Sequence, residues 1–160
     1  MKLLVVSDTH RHTENLEKVY EKVRPVDAVL HLGDMEGQED LIRAMVECPV
    51  YFVKGNCDRG SDEPDEQLIT LGGVRIFMAH GHRHGIGWGT EGLEEAGFKN
   101  EAQIVLFGHT HRPLLEWRGG FWLANPGSLT LPRQEDHRPS FMTIEIDRNR
   151  QILPGICYLD

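Results

Sequence analysis

The hydrophobic pattern switches repeatedly between two periods. Residues 2–6 (KLLVV) form a short apolar run, too brief for a helix and β-branched at its end, which predicts a buried strand. From Thr13 to Val23 the apolar residues Leu16, Val19, Tyr20 and Val23 fall at i, i+3, i+4 and i+7, with Thr13 or Asn15 as the cap and Pro25 beyond the end. That spacing predicts an amphipathic helix. The pair recurs as a strand over 28–32, a helix over 40–47 with Leu41, Ile42, Met45 and Val46 apolar, and a strand over 50–53. Strand, helix, strand, helix, strand at these intervals predicts parallel pairing with right-handed crossovers.

After a polar loop over 59–66 the texture changes. Residues 67–71 and 74–79 flank Gly72-Gly73, a hairpin signal. A glycine-rich loop containing Gly85, Gly87, Trp88 and Gly89 precedes a helix over 91–99, and 104–107 reads as a strand. Two further hairpins follow, 114–117 with 121–124 around Gly119-Gly120, and 140–147 with 151–158 over Arg148-Asn149-Arg150.

Composition bounds the function. The chain has 160 residues, 39% apolar and 26% charged, which fits one globular domain over 1–160. Its 25 Asp and Glu outnumber 17 Lys and Arg, giving a net charge of −8. Such a balance offers no general attraction to nucleic acid or anionic membranes, so phosphate chemistry here requires a local site. Cys48, Cys57 and Cys157 are odd in number and form no C-x-x-C pattern, which argues for a reducing, cytoplasmic compartment rather than a disulfide framework. The four-residue apolar run at the start is far too short for a signal peptide core or a bilayer span. Nine histidines, seven of them at H-x-H spacing, are the compositional anomaly.

Six apolar runs end directly in polar clusters: Asp8 and His10; Asp34; Asn56 to Asp58; His80 and His82; His109 and His111; Asn125 with Ser128. In open α/β sheets, ligands bind outside the carboxyl ends of the strands, so these clusters are expected to share one edge. Aspartate, asparagine and histidine together supply oxygen and imidazole nitrogen without thiolate. That donor set suits Mn, Fe, Ni or Zn rather than a cysteine-rich zinc knot or a calcium cage.

Asp8-x-His10, Gly33-Asp34, Gly55-Asn56-Cys57-Asp58, His80-Gly81-His82 and Gly108-His109-Thr110-His111, in this order, resemble the motifs of the calcineurin-like metallophosphoesterase superfamily. The match extends from residue 8 to the Asn125-Pro126-Gly127-Ser128 segment, and more narrowly it resembles the small phosphodiesterases of the YfcE type. The resemblance implies an α/β fold of two packed sheets flanked by helices, in four layers. It also implies two divalent metal ions, manganese first, with Ni, Fe or Zn as alternatives. One would be held by Asp8, His10, Asp34 and His111, and the other by Asp34, Asn56, His80 and His109, with Asp34 bridging. A hydroxide shared between two such ions is the expected nucleophile on a small phosphoester.

Cys57 departs from the wider superfamily, in which the matching residue is usually a histidine that protonates the leaving group. A thiol is a poorer general acid, which leaves His82 or water to deliver the proton, or restricts the enzyme to good leaving groups. Asn125 is expected to donate to the phosphate or to orient a ligand. The loop with Trp88 and residues 129–139, with Arg133 and Arg138, are the expected walls of the substrate pocket. His12, His84 and His137 read as ordinary, His31 as a hydrogen-bonded core residue, and 62–66 as a solvated acidic loop. Two alternatives stay open: a phosphomonoesterase or nucleotide hydrolase on the same site, and a non-catalytic interaction scaffold, since the eukaryotic retromer subunit resembles this fold. Self-association is also left open.

Overall fold

The computed structural model describes residues 1–160. The first half builds β1 (Lys2–Val6), α1 (Glu14–Val23), β2 (Ala28–His31), α2 (Glu39–Met45) and β3 (Val50–Phe52). Strands β4 (Glu66–Leu71) and β5 (Val74–Ala79) follow, then α3 (Glu91–Lys99) and β6 (Ile104–Leu106). The chain ends in β7 (Pro113–Trp117), β8 (Trp122–Pro126), β9 (Ser140–Ile146) and β10 (Ile152–Tyr158). Two mixed five-stranded sheets result, ordered β10-β9-β1-β2-β3 and β4-β5-β6-β8-β7. In the first, β1, β2 and β3 run parallel; in the second, β5, β6 and β8 do.

The alternation within β1 shows how the layers form. Leu3 and Val5 point into a core shared with Ile76, Met78, Leu106 and Ala124 of the opposite sheet. Leu4 and Val6 point the other way, onto Leu16, Val19 and Tyr20 of α1 and Ile42 of α2. Behind the second sheet, Phe77, Val105 and Leu123 pack on Leu93 of α3. Helices, sheet, sheet and helix make the four expected layers. Both faces of β1 are buried, which is why its sequence reads as a continuous apolar run rather than an alternating one.

Gly72 and Gly73 both take positive φ (58° and 78°), the geometry of a two-residue hairpin turn. Helix α2 departs from expectation. It ends at Met45, with Val46 already extended (φ −114°, ψ 149°), and Leu41 is 50% exposed. Ile42 and Val46 are the buried positions, and Leu41 lies about 100° round the helix from Ile42, outside that stripe.

Candidate metal centre

The parallel strands β1, β2, β5 and β6 all lead at their carboxyl ends into predicted ligand clusters, and β3 leads into Gly55-Asn56. Backbone bonds stitch the loops together: Asp8 N–H donates to Gly33 O (3.0 Å), His10 N–H to Asp34 O (2.9 Å) and Gly108 N–H to His80 O (3.0 Å). Asp8, His10, Asp34, His109 and His111 all adopt left-handed backbone, with φ of 56°, 44°, 59°, 66° and 57°. Each such residue stores about 1–3 kcal/mol, and strain of this kind concentrates at ligand clamps.

The side chains converge. Ligand atoms of Asp8, His10, Asp34 and His111 lie within 4.8 Å of one another. His111 Nε2 is 3.1 Å from Asp8 Oδ1 and 3.2 Å from His10 Nε2. His80 Nε2 is 3.4 Å from Asp34 Oδ2, and His109 Nδ1 is 3.0 Å from Asn56 Oδ1. Asp8 and His80 are fully buried, and although Asp8 Oδ1 and His80 Nε2 have close polar neighbours, neither makes a hydrogen bond: with the protons of His80 and His111 on Nδ1, the Nε2 atoms have none to donate to the carboxylates. Unsatisfied buried polar atoms are costly, and a cation between them would satisfy both.

The second nitrogens explain the orientation. His80 Nδ1 donates to Leu32 O (2.6 Å) and His111 Nδ1 donates to Leu131 O (2.8 Å). In the neutral imidazole each bond fixes the proton on Nδ1 and turns the Nε2 lone pair inward, as a metal-binding histidine requires. Burial opposes ionisation of Asp8, but the His111 and His80 imidazoles outweigh it and hold the carboxyl below its usual range. Asp34 follows the same balance through His80 and the Cys57 N–H. Burial depresses His80, and Asp34 and Asp8 more than reverse that, raising it above the usual histidine value.

Two glycines make the approach possible. A Cβ on Gly55 would sit 2.0 Å from Asp34 Oδ1, and one on Gly33, whose φ is +104°, would sit 2.6 Å from His80 Nδ1. Neither position admits a side chain without displacing a predicted ligand.

Asp58 closes the motif from below. Its Oδ2 accepts from Asp34 N–H and Gly55 N–H (both 2.7 Å), and its Oδ1 accepts from Glu36 N–H (2.6 Å). Burial still pushes this carboxyl up, against those three donors. Ser128 donates to Asp8 O (2.8 Å) and accepts from Leu131 N–H (2.9 Å), so it holds the loop whose carbonyl orients His111. In the sequence Asp58 and Ser128 stand within the motifs without a local pattern that gives either a role. Their signal was only that each ends a polar cluster.

His82 packs edge-on to His80 at 5.4 Å between ring centroids and lies 6.2 Å from His109. Burial, with the positive fields of His80 and His109, lowers its pKa. Cys57 is half-buried, with its N–H bonded to Asp34 Oδ1 (2.9 Å); burial and the nearby Asp34 and Glu36 push its thiol up to about 11. Asn125 is fully buried: its Nδ2 donates to Gly108 O (2.8 Å) and Thr110 Oγ1 (3.1 Å), and its Oδ1 accepts from Gly127 N–H (2.8 Å). These bonds direct it to the His109–His111 loop, the orienting alternative of the two expected, and leave no donor for a phosphate. His31 is a core residue, bonded to Thr9 and Gly33 N–H.

Arg138 departs from the expected pocket wall. Arg138 pairs with Asp160 (2.7 Å) and stacks over Tyr158, which takes its charge off the catalytic edge. In the acidic segment 62–66, Asp62 and Glu66 are exposed as expected, and Asp65 and Glu66 also line a cleft of about 430 Å³ with His80, His82, Arg83 and His84, pairing with Arg83 (3.0 Å) and His84 (3.1 Å). The Asp65 carboxylate offsets the charge of Arg83, which follows β5.

Residues 1–149 match the calcineurin-like phosphoesterase superfamily domain. The chain belongs to that superfamily. Among its curated relatives is a probable metallophosphoesterase of Methanothermobacter thermautotrophicus, 36% identical over 148 residues that cover 89% of this chain and 84% of the relative. Phosphodiesterase YfcE of Escherichia coli is 31% identical, covering 83% of this chain and 82% of its own. A crystal structure of a predicted phosphoesterase from Streptococcus pneumoniae superposes with a TM-score of 0.82 at 30% identity, covering 99% of this chain and 97% of that one. A single mutant of Vps29 from Entamoeba histolytica superposes with a TM-score of 0.79 at 25% identity over the full length of both chains. No helix of this protein is long and apolar enough to cross a membrane.

Proposed function

We propose that this member of the superfamily is a divalent-metal-dependent phosphodiesterase with a binuclear centre on the shared carboxyl edge of its two sheets. One observation carries the reading: buried Asp8 Oδ1 and His80 Nε2 make no hydrogen bond while backbone carbonyls turn the His80 and His111 Nε2 atoms inward. Asp8, His10, Asp34 and His111 would hold one ion, and Asp34, Asn56, His80 and His109 the other. Divalent cations bound there supply Lewis acidity toward a phosphoester oxygen and lower the pKa of water toward neutrality. Oxygen and imidazole donors favour manganese, with nickel, iron or zinc also accommodated.

The chain's own residues do the rest. Asp8 and Asp34 stay ionised at any physiological pH, because the neighbouring imidazoles favour their charged forms. Asn125 holds the Gly108-His109-Thr110 loop in its left-handed turn and so positions His109. His82, Cys57 and Glu36, whose Oε1 is 3.6 Å from His10 Nδ1, are titratable groups beside the ligand set, and of these His82 and Cys57 are proposed for proton transfer. With its pKa lowered, His82 is neutral near pH 7, whereas Cys57 carries its proton. A thiol of such high pKa donates sluggishly, so esters with good leaving groups are the favoured substrates. The reading extends to a single domain over 1–160 and to a reducing, cytoplasmic setting, supported by three free cysteines.

The test is hydrolysis of bis(p-nitrophenyl) phosphate and p-nitrophenyl phosphate in parallel, after chelation and re-addition of Mn, Ni, Mg or Zn. Metal-restored cleavage of the diester in preference to the monoester is the expected result. A reversed preference supports the monoesterase alternative. The likeness to Vps29 keeps the scaffold reading in view, and cleavage of neither ester with any metal, together with a stable stoichiometric partner, would favour it.

A further inference from the structure

We infer that a groove beside the metal edge binds a second anionic group, carried on one arm of a phosphodiester substrate whose body is partly apolar. The inference rests on the phosphodiesterase reading for the chemistry at the scissile bond, but the anion site stands on the groove's own residues.

The groove, about 550 Å³, lies between the glycine-rich loop before α3 and the loop after β8. Ile86, Phe107 and Leu114 supply its apolar lining, and Thr110, Arg112 and Arg133 its polar one. Thr110 stands between the predicted ligands His109 and His111, which makes the groove contiguous with the metal edge. Its basic wall is tied to the same loop: Arg133 N–H donates to His111 O (3.0 Å), and Arg112 Nε donates to Arg133 O (3.2 Å).

Charge decides the occupant. Carboxylates outnumber basic side chains 25 to 17 in this chain, and yet neither Arg112 nor Arg133 is in an ion pair. The Arg112 bond to a backbone carbonyl aims its Nε and leaves both terminal amines free, and the Arg133 guanidinium bonds nothing in the protein. Two exposed, unpaired guanidinium groups on a half-apolar groove favour a phosphate or carboxylate, which they can engage in charge-assisted, bidentate bonds.

The test compares two esters that differ by one phosphate group, which carries about −1.5 to −2 charge near pH 7: the p-nitrophenyl ester of thymidine 5′-monophosphate, with and without a 3′-phosphate. Either hydrolysis consumes one water and releases p-nitrophenol and the nucleotide. The 3′-phosphate is expected to raise kcat/KM about tenfold, the order of one additional charge-assisted contact. Arg112→Ala and Arg133→Ala are each expected to shrink that ratio toward one. An equal kcat/KM for both esters in the unmutated protein overturns the inference, as does a ratio that survives in both variants. A merely structural role for either arginine would slow both esters alike and keep the ratio. Should neither ester be cleaved, the phosphodiesterase reading fails and the groove is judged by calorimetry. Tighter binding of thymidine 3′,5′-bisphosphate than of thymidine 5′-monophosphate, lost in the arginine variants, then supports the anion site; equal affinities overturn it.

Discussion

His80 and Leu32 belong to segments that follow strands of different sheets, and the Nδ1 of the first donates to the carbonyl of the second across 2.6 Å. The bond links the two sheets at their carboxyl edge and fixes which nitrogen of His80 faces Asp34. It also couples metal binding to pH. Asp34 and Asp8 raise the His80 pKa, and a cation would require the neutral ring. Binding below that raised pKa therefore releases a proton. Affinity for Mn²⁺ is expected to weaken on acidification by up to about tenfold per pH unit. Calorimetry at several pH values measures this, and His80→Gln is expected to flatten the slope.

His31 predicts an acid sensitivity of its own in the metal-free protein. Its Nδ1 accepts from Gly33 N–H (3.3 Å), and its Nε2 lies 3.1 Å from Thr9 Oγ1, which places the proton on Nε2. Burial lowers its pKa from 6.5 to about 3. Between those values the unfolded chain binds a proton that the folded chain refuses, so the contribution is intact above pH 6.5 and declines as pH falls toward 3. The slope is about 1.4 kcal/mol per pH unit. Urea unfolding at pH 7 and pH 5 is expected to show a smaller loss in His31→Gln.

Gly55→Ala tests the close approach to Asp34. The added methyl would lie 2.0 Å from Asp34 Oδ1, so the carboxylate must move. Displacement by about 1 Å costs roughly a hundredfold in rate where positioning governs catalysis. A drop of that order in kcat, with near-wild-type far-UV circular dichroism, is the expected outcome.

Asp58→Ala removes one acceptor from three backbone donors at once, Asp34, Glu36 and Gly55. Stability is expected to fall by about 3 kcal/mol or more, because the donors lose their only side-chain acceptor in a largely buried loop. Denaturant midpoints with and without metal measure it.

Much of this architecture is legible in the sequence, for reasons of burial. Strands such as β1 and β6 are covered on both faces, so they stand out as apolar runs that break off where the backbone reaches the open edge. The clusters Asp8, Asp34, His80 and His109 to His111 follow those breaks and can be read by position alone. What the sequence hides is which way a side chain turns. Asn125 looks like any polar residue at a strand end, and only its three bonds show it directed inward. Arg138 and Arg133 share one loop, but the tail bearing Tyr158 and Asp160 returns beside Arg138 and removes its charge from the edge. Leu41 fits an apolar helix until α2 proves only seven residues long, with Ile42 as its buried position. Imidazole tautomers depend on carbonyls of distant segments, as with Leu131 for His111, and no local pattern encodes them.

Asp34→Asn puts the central claim to the most direct test. Asparagine tolerates the left-handed backbone at this position (φ 59°), and its side-chain oxygen can still accept from Cys57 N–H, so the fold is retained while one charge is removed. The measurement is hydrolysis of bis(p-nitrophenyl) phosphate by chelated protein titrated with Mn²⁺, for the unmutated chain and for Asp34→Asn. The account predicts metal-restored turnover in the first and a loss of at least a hundredfold in the second. Equal, metal-independent turnover in both would contradict it.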